Sequence, residues 1–119
     1  MQLIGMLDSP YVRRVAISMK RMGLPFEHRS ISVFRQLPEF QKINPLVKAP
    51  TLVCDDGEIL MDSTLIIDYL ESLVAPDKWL MPAGAIARRD ALDLPRYPAL
   101  VAYSARAEAL PEFVSTPLE

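Results

Sequence analysis

Apolar and polar residues fall into short, well-separated blocks along the first part of the chain. The apolar run QLIGML at residues 2–7 predicts a buried strand. In the following PYVRRVAISMKRMG, apolar residues recur at helical spacing with charged residues between them, which predicts a helix that ends at Gly23. The segment PFEHRSISV, with a weaker alternation of apolar and polar residues, predicts a second strand.

The next block predicts a short helix, a hairpin and a longer helix. Pro38 can start a helix that Asn44-Pro45 ends. The β-rich runs Thr51–Cys54 and Glu58–Met61 flank Asp-Asp-Gly, and an Asp-Gly turn between apolar runs is a strong hairpin signal. DSTLIIDYLESLV then predicts an amphipathic helix with Ser63 as its N-cap. The apolar stripe of this helix comprises Leu65, Ile66, Tyr69, Leu70 and Leu73.

The resulting order β-α-β-α-β-β-α specifies a topology for residues 1–75. A strand–helix–strand unit makes a parallel pair with a right-handed crossover, and a hairpin adds antiparallel strands. We therefore expect an α/β domain of the thioredoxin-like architecture, a four-stranded mixed sheet with helices on both faces. A proline-bounded linker at residues 76–84 leads to residues 85–119, where two helices are predicted, the second ending at Pro111, followed by VSTPLE as a surface tail.

Composition and charge exclude several classes of protein. The 119 residues include 13 basic and 15 acidic side chains that are mixed along the chain, so a nucleic-acid partner is not expected. No apolar run approaches the roughly 20 residues that span a bilayer, and the N-terminal residues lack the pattern of a secretory signal. A single cysteine, Cys54, excludes an intramolecular disulfide. These features predict a cytoplasmic protein that does not bind membranes.

The segment LDSPYVRR, residues 7–14, carries the first candidate for chemistry. Ser9 and Val12 stand where a thiol–disulfide protein has the two cysteines of Cys-Pro-Tyr-Cys. Ser9 can also cap the helix that Pro10 begins. A helix N-terminus favours negative charge, so Ser9 could instead donate a hydrogen bond to the thiolate of a ligand. A disarmed redox site, a helix cap and a site for a ligand's sulfur are the three interpretations that this segment leaves open.

Two further segments could bind an extended ligand. In VKAPTL, Pro50 directly precedes a strand and is a candidate cis-proline that would present the backbone of Ala49 to a peptide ligand. A trans proline that starts an edge strand is the alternative. In MDSTLI, Ser63 at the start of a helix suits a ligand carboxylate and Asp62 suits an ammonium group, although an Asp-Ser helix cap explains the same residues.

The other polar residues are more typical of structural roles. His28 lies on a predicted strand, and Cys54 lies inside an apolar run. Arg13 and Arg14 predict a solvated helix face, although one of them could anchor a ligand carboxylate. The sequence has no metal-ligand spacing and no glycine-rich phosphate loop, so no metal is expected.

Together, SPYVRR, NPLVKAPTLV and DSTLIIDYLE resemble the three glutathione-site segments of the cytosolic glutathione S-transferases, in the same order and at similar spacing. The resemblance covers residues 1–92. It implies the N-terminal thioredoxin-like domain of that family, with residues 85–119 as an incomplete all-α domain. Most of the family's helical domain would have to lie between Leu92 and Tyr97, so either residues are missing from the sequence there or the chain is an internally shortened form.

The resemblance also assigns roles to individual residues. It implies that Ser9 hydrogen-bonds the glutathione sulfur and that Ala49, before the cis-proline Pro50, pairs with the cysteinyl backbone. Asp62 and Ser63 match the pair that holds the γ-glutamyl end. The remaining assignments are Lys48 near the glycyl end and, for the electrophile pocket, Leu7 and Tyr11.

The function implied by the resemblance is conjugation of glutathione to a small electrophile. Such an enzyme acts in detoxification, uses glutathione as co-substrate without a metal, and is a homodimer. The alternative is a non-catalytic member of the fold that serves in dimerisation or as a scaffold. A disulfide oxidoreductase is disfavoured because Cys54 is the only thiol in the sequence.

Overall fold

The structure, a computed structural model, describes residues 1–81, 106–117 and 119. The first strand and helix are β1 (Gln2–Ile4) and α1 (Pro10–Met22). They are followed by β2 (Glu27–Arg29), α2 (Leu37–Ile43), β3 (Thr51–Val53), β4 (Ile59–Met61) and α3 (Ser63–Ser72). A 3₁₀ turn at Pro76–Lys78 and the short helix α4 (Pro111–Val114) complete the described elements. The helices predicted within residues 85–105, and the junction between Leu92 and Tyr97, lie outside the described residues.

The four strands form one mixed sheet in the order β2-β1-β3-β4. Strand β1 runs parallel to β2 and antiparallel to β3, and β3 and β4 form the antiparallel hairpin. The predicted order of elements, the mixed sheet and the thioredoxin-like fold are therefore confirmed.

Helices cover both faces of the sheet because alternate residues of β1 point to opposite sides. Leu3 belongs to the larger cluster of buried residues, which it forms with side chains from β3, α1 and α3. Ile4 belongs to a second cluster with Ile31 and with Phe40 of α2. All three of Leu3, Ile4 and Phe40 are fully buried, so each face of the sheet has its own core.

Helix α1 begins and ends as its sequence predicts. Ser9 is its N-cap and Pro10 occupies the first turn. At its end Gly23 has a φ of 70°, and the N–H groups of Gly23 and Leu24 donate to the carbonyls of Lys20 and Met19. This left-handed glycine cap satisfies the last carbonyls of the helix and ends it.

Helix α3 differs from its prediction in two ways. Its N-cap is Asp62, one residue before the expected Ser63. Leu65 and Leu73 are 55% and 46% exposed, so they do not belong to the buried stripe, whereas Glu71 is only 8% exposed. Glu71 is buried because its Oε1 accepts the N–H groups of Leu80 and Met81, which attaches the predicted linker to α3.

A row of cations on α1 holds the C-terminal segment 106–119 against this helix. Arg13 makes an ion pair with Glu108 at 3.0 Å, and Arg21 makes one with Glu112 at 3.1 Å. Between them, the Nζ of Lys20 donates to the Oγ1 of Thr116 at 2.6 Å. Arg13 and Lys20, seven residues apart, share one face of the helix, and Arg21 follows Lys20 in the same turn. The sequence predicts a solvated helix face at Arg13. In the structure, the side chain of Arg13 instead binds the C-terminal segment.

The predicted surface tail VSTPLE is exposed at four of its five described residues, but Thr116 and Glu119 attach it to the domain. Thr116 is 1% exposed, and its carbonyl accepts the Nε of Arg13 at 2.9 Å. The carboxylate of Glu119 accepts the N–H of Leu7 at 3.1 Å. The helical residues 106–108 end shortly before Pro111, close to the predicted end, and Pro111 begins α4 because its ring suits the first helical turn. No helix in the described parts of the chain has the length and apolar character needed to cross a membrane.

The ion pairs to α1 predict an acid-sensitive contribution to stability. A hydrogen bond from Arg13 holds the pKa of Glu108 below its ordinary value of 4.5. A carboxyl with a lowered pKa in the folded state stabilises that state above the unfolded pKa and loses this contribution as pH falls through the folded value. We expect Glu108→Gln to lower the free energy of unfolding at neutral pH and to have no effect once the pH is well below 4.5, as measured by urea unfolding at a series of pH values. An effect of Glu108→Gln that is independent of pH would contradict the ion pair as its cause.

Gly5, at the end of β1, is the point where three parts of the fold come closest. Its φ is +134°, a conformation that residues with a side chain rarely adopt. A Cβ placed on it would lie 2.7 Å from Cγ2 of Val12 in α1 and 3.2 Å from Cβ of Ala49. The N–H of Gly5 donates to the carbonyl of Arg29 at 3.0 Å. Its own carbonyl accepts the Nε2–H of His28 at 2.7 Å.

We expect Gly5→Ala to destabilise the fold by about 2–4 kcal/mol, because it combines backbone strain with overpacking of a buried site. Gly23→Ala is the matched control, since Gly23 also has a positive φ but has no atom within 4 Å of an added Cβ. The control change should cost about 1–2 kcal/mol. Urea unfolding of the two variants measures the difference, and equal losses would contradict the close approach at Gly5.

Candidate functional site

Two clefts meet at Lys48 and Ala49, which line both of them. The first, which we call the Ser9 cleft, has a volume of about 280 Å³. It is lined by the loop before α1, by the loop between β2 and α2, and by the loop before β3, with Met6, Asp8, Ser9, Ile31–Arg35 and Val47 among its residues. The second, the Asp62 cleft, has a volume of about 520 Å³. It is lined by Tyr11, Arg14, Pro50, Met61, Asp62, Ser63 and Thr64.

The two clefts bring together all but one of the site residues expected from the sequence. The exception is Leu7, which is 8% exposed and belongs to the hydrophobic core. Its main-chain N–H faces Glu119, and its side chain lines neither cleft. The expectation that Leu7 lies in an electrophile pocket is therefore corrected: Leu7 anchors the start of the loop that carries Ser9.

Ser9 stands at the N-terminus of α1 with most of its hydrogen-bonding capacity available. Its Oγ accepts the N–H of Val12 at a long 3.5 Å, and its carbonyl accepts the N–H of Arg13 at 3.0 Å. The first turn of α1 has no acidic residue to offset the positive end of the helix dipole. A hydroxyl and a positive helix end at one place can stabilise an anion such as a thiolate.

The peptide bond between Ala49 and Pro50 is cis, as the sequence predicted. Within residues 1–81, 106–117 and 119, neither the N–H nor the C=O of Ala49 makes a hydrogen bond to another main-chain group. Ala49 is only partly buried and lines both clefts. Its backbone can therefore pair with an extended peptide ligand.

Asn44 and Thr51 hold the loop that presents Ala49. Asn44 is 2% exposed, and its Nδ2 donates to the Oγ1 of Thr51 at 2.9 Å. Its Oδ1 accepts the N–H of Leu46 at 3.0 Å, and the hydroxyl of Thr51 donates to the carbonyl of Lys48. From the sequence, Asn44 was only the end of α2. The Asn-Pro pair does not indicate that the side chain of Asn44 hydrogen-bonds to Thr51 in β3, seven residues further along the chain.

Two residues beside the clefts have an uncommon backbone conformation. Val47 in the Ser9 cleft has a φ of 51°, and Asp62 in the Asp62 cleft has a φ of 73°. A positive φ is strained for a residue with a side chain, and most of all for a β-branched one. Such residues persist only where the surrounding structure holds them, and they concentrate at functional sites.

Asp62 caps α3 and keeps part of its carboxylate for other partners. Its Oδ1 accepts the N–H groups of Thr64 and Leu65 at 2.9 and 3.2 Å. Asp62 is exposed, so its Oδ2 can accept a hydrogen bond from an ammonium group. Ser63, by contrast, is 6% exposed, and its Oγ accepts a hydrogen bond from Arg14.

Arg14 connects α1 to the start of α3. Its Nη1 lies 3.3 Å from the Oγ of Ser63 and 3.2 Å from the Oγ1 of Thr64. Both of these partners are neutral hydroxyl groups, and Arg14 lines the Asp62 cleft. Arg35 and Lys48 add positive charge at the Ser9 cleft. The sequence pattern predicts a solvated helix face for Arg14 and does not single out Arg35, because only the fold brings these two residues to the clefts.

The single cysteine does not belong to this site. Cys54 is 8% exposed in the core, as its sequence context predicted. Burial raises the pKa of its thiol. A hydrogen bond with Tyr69 lowers this pKa in part, and the neighbouring acidic residues of the hairpin raise it further. Cys54 is therefore a poor nucleophile at neutral pH. In the described ranges, no three His, Cys, Asp or Glu side chains are grouped so that they could hold a metal ion.

The fold and the clefts define a class of protein: a thioredoxin-like domain with two clefts that meet at the cis-proline loop and have no cysteine among their lining residues. Residues 3–78 match the family described as glutathione S-transferase, N-terminal domain. The chain belongs to this family.

Individual relatives agree with this assignment. The chain is 36% identical over 77 residues to an uncharacterised GST-like protein, YibF, of Escherichia coli, covering 64% of this chain and 38% of the relative. A glutathione S-transferase of Methylobacterium radiotolerans, solved in complex with glutathione sulfonate, is 32% identical with a TM-score of 0.65, covering 73% of this chain and 41% of that one. The chain thus spans about two-fifths of the length of these two proteins.

One solved structure matches nearly the whole chain. It is a glutathione transferase of Methylococcus capsulatus, with a TM-score of 0.75 at 18% identity, and the match covers 97% of this chain and 96% of that one. At this low identity the match concerns the fold alone. It extends the structural likeness beyond the N-terminal domain.

Proposed function

We propose that the chain binds glutathione in extended form across Ala49 and uses Ser9 to stabilise the thiolate for attack on an electrophilic carbon. The single observation that carries this proposal is the junction of the two clefts at Lys48 and Ala49, with Ser9 in one cleft and the Asp62-Ser63 pair in the other. Glutathione has a thiol between two ends that carry carboxylates, and one end also carries an ammonium group. The arrangement of charges around the clefts suits such a ligand.

Each part of the tripeptide has a candidate partner. The Asp62 carboxylate would bind the γ-glutamyl ammonium, while Ser63, Arg14 and the start of α3 would bind the neighbouring carboxylate. The backbone of Ala49 would pair with the cysteinyl residue. The glycyl carboxylate would lie toward Lys48 and Arg35, the two basic residues that line the Ser9 cleft.

Stabilisation of the thiolate is the catalytic contribution that this domain can make. The thiol of glutathione, near Ser9, would accept a hydrogen bond from the hydroxyl and would lie in the positive field of α1. Both effects favour the thiolate and lower the pKa of the bound thiol. Each unit by which that pKa falls corresponds to about 1.4 kcal/mol in favour of the reactive form.

We expect Ser9→Ala to reduce glutathione transfer by about ten- to a hundredfold, the effect of losing one hydrogen bond to a charged group. The pH profile of kcat/KM should move to higher pH, because the bound thiol loses a group that favours its ionised form. Ser9→Thr, which keeps a hydroxyl, is the control and should retain most of the activity. The measurement is the rate of conjugation across pH, with the ultraviolet absorbance of the bound thiolate as a second readout. Unchanged rates in Ser9→Ala would overturn the role of Ser9.

We expect Asp62→Asn to weaken glutathione binding about tenfold while leaving the free energy of unfolding nearly unchanged. Asparagine caps helices as well as aspartate does, but it has no charge for the ammonium group. Asp68→Asn is the matched control, since Asp68 is exposed on the same helix and lines neither cleft. Titration calorimetry with glutathione gives the affinities, and equal affinities of the two variants would exclude Asp62 from the site.

The same titration separates the transferase from its alternative. A non-catalytic module for dimerisation or scaffolding need not bind glutathione. If the wild-type chain does not bind glutathione at millimolar concentration but has the molar mass of a dimer in solution, the alternative replaces the proposed function.

A further inference from the structure

We propose that the electrophile used by this site is an aromatic compound that carries a carboxylate, bound in a third cleft between α1 and residues 106–113. This inference rests on the function proposed above, because it names the second substrate of the same site. The cleft, which we call the arginine cleft, has a volume of about 810 Å³. That volume is large enough for a small organic molecule.

The arginine cleft adjoins the proposed glutathione site at two places. Pro10, the residue bonded to Ser9, lines it, so the cleft reaches the residue next to the proposed thiolate donor. Arg14 lines both the arginine cleft and the Asp62 cleft. A ligand in the arginine cleft would therefore lie beside a glutathione molecule bound across Ala49.

The walls of the arginine cleft combine apolar surface with positive charge. Ile17 of α1 lines the cleft together with Leu110 and Phe113 of the C-terminal segment, and apolar lining of this kind suits a planar apolar body. Among the residues that the structure describes, the charged side chains of this wall are four guanidinium groups, with no carboxylate: Arg13, Arg14, Arg21 and Arg106. Guanidinium groups are charged at all relevant pH values.

Two of these four arginines form ion pairs that hold the C-terminal segment, and the other two are considered as partners for ligands. Arg13 and Arg21 are paired with Glu108 and Glu112, and these pairs hold the far wall in place. Arg14 donates to Ser63 and Thr64 and is assigned above to the γ-glutamyl carboxylate of glutathione, whereas Arg106 lines the cleft from the opposite wall. An anionic group on the ligand would lie against Arg106, whose guanidinium can bind a carboxylate through two hydrogen bonds.

The reaction is a nucleophilic aromatic substitution when the electrophile is a chloroarene. The thiol of glutathione gives its proton to solvent, and the thiolate sulfur forms a bond to the ring carbon that bears chlorine. The carbon–chlorine bond then breaks, and chloride leaves with the electron pair. No oxidant or reductant is needed.

The test compares 4-chloro-3-nitrobenzoate with its methyl ester, which has a similar ring and leaving group but no charge. For each compound, kcat/KM is divided by the rate constant of the uncatalysed reaction with glutathione. We expect the wild-type chain to favour the acid over the ester. Arg106→Gln should reduce that preference about tenfold, and Arg106→Lys should retain most of it. Arg29→Gln is the matched control, because Arg29 lines none of the three clefts and should leave the preference unchanged.

A binding experiment distinguishes failure of this inference from failure of the proposed function. The unreactive 4-methyl-3-nitrobenzoate is titrated into the wild-type chain and into Arg106→Gln. If the acid binds and Arg106→Gln weakens it, but no conjugation occurs with either substrate, the anion site stands and the proposed transferase activity falls. If conjugation occurs with no preference for the acid, or Arg106→Gln leaves the preference intact, the transferase stands and the carboxylate selectivity is overturned. Circular dichroism of Arg106→Gln checks that the variant is folded.

Discussion

The close approach of backbone at Gly5 is the constraint on which the geometry of the site depends. Because this residue lacks a Cβ, the end of β1 can lie against Val12 of α1 and against Ala49. Both backbone groups of Gly5 are hydrogen-bonded to β2. Its N–H donates to the carbonyl of Arg29, and its carbonyl accepts from the side chain of His28. Gly5 therefore fixes the position of the Ser9 loop relative to the cis-proline loop. A side chain there would push α1 away from the cis-proline loop, and residues on both sides of that approach line the Ser9 cleft.

Most of the N-terminal fold could be predicted because its signals are local. Helix α1 is delimited by Pro10 and Gly23, and the hairpin follows from the Asp-Gly turn, so neighbouring residues carry the information. The N-cap of α3 was misplaced by one residue, since both Asp62 and Ser63 are good caps and only the backbone conformation decides between them. Leu65 and Leu73 were assigned to the core for a related reason. A helical stripe is wide, and its edges depend on which elements pack against it.

The parts that could not be predicted depend on contacts between distant residues. Arg13, Lys20 and Arg21 look like a solvated face until Glu108, Thr116 and Glu112 are placed against them. Those partners lie more than ninety residues further along the chain. Asn44 is similar on a smaller scale, because its buried bond to Thr51 depends on how the loop folds back. Helical spacing tells which residues share a face, but it does not tell what that face meets.

The absence of cysteine from the candidate site and the burial of Cys54 have one physical consequence. In a thioredoxin-like fold, the positive end of α1 favours a thiolate whether the sulfur belongs to the chain or to a ligand. Ser9 offers a hydroxyl at that place, and Cys54 sits in the core, where burial raises its pKa. The interpretation of LDSPYVRR as a redox site is therefore disfavoured, because the site contains no cysteine and Cys54 is buried elsewhere. The cap and the thiolate donor are compatible roles for one hydroxyl, because Ser9 accepts a hydrogen bond from Val12 through a lone pair and keeps its proton for a second partner.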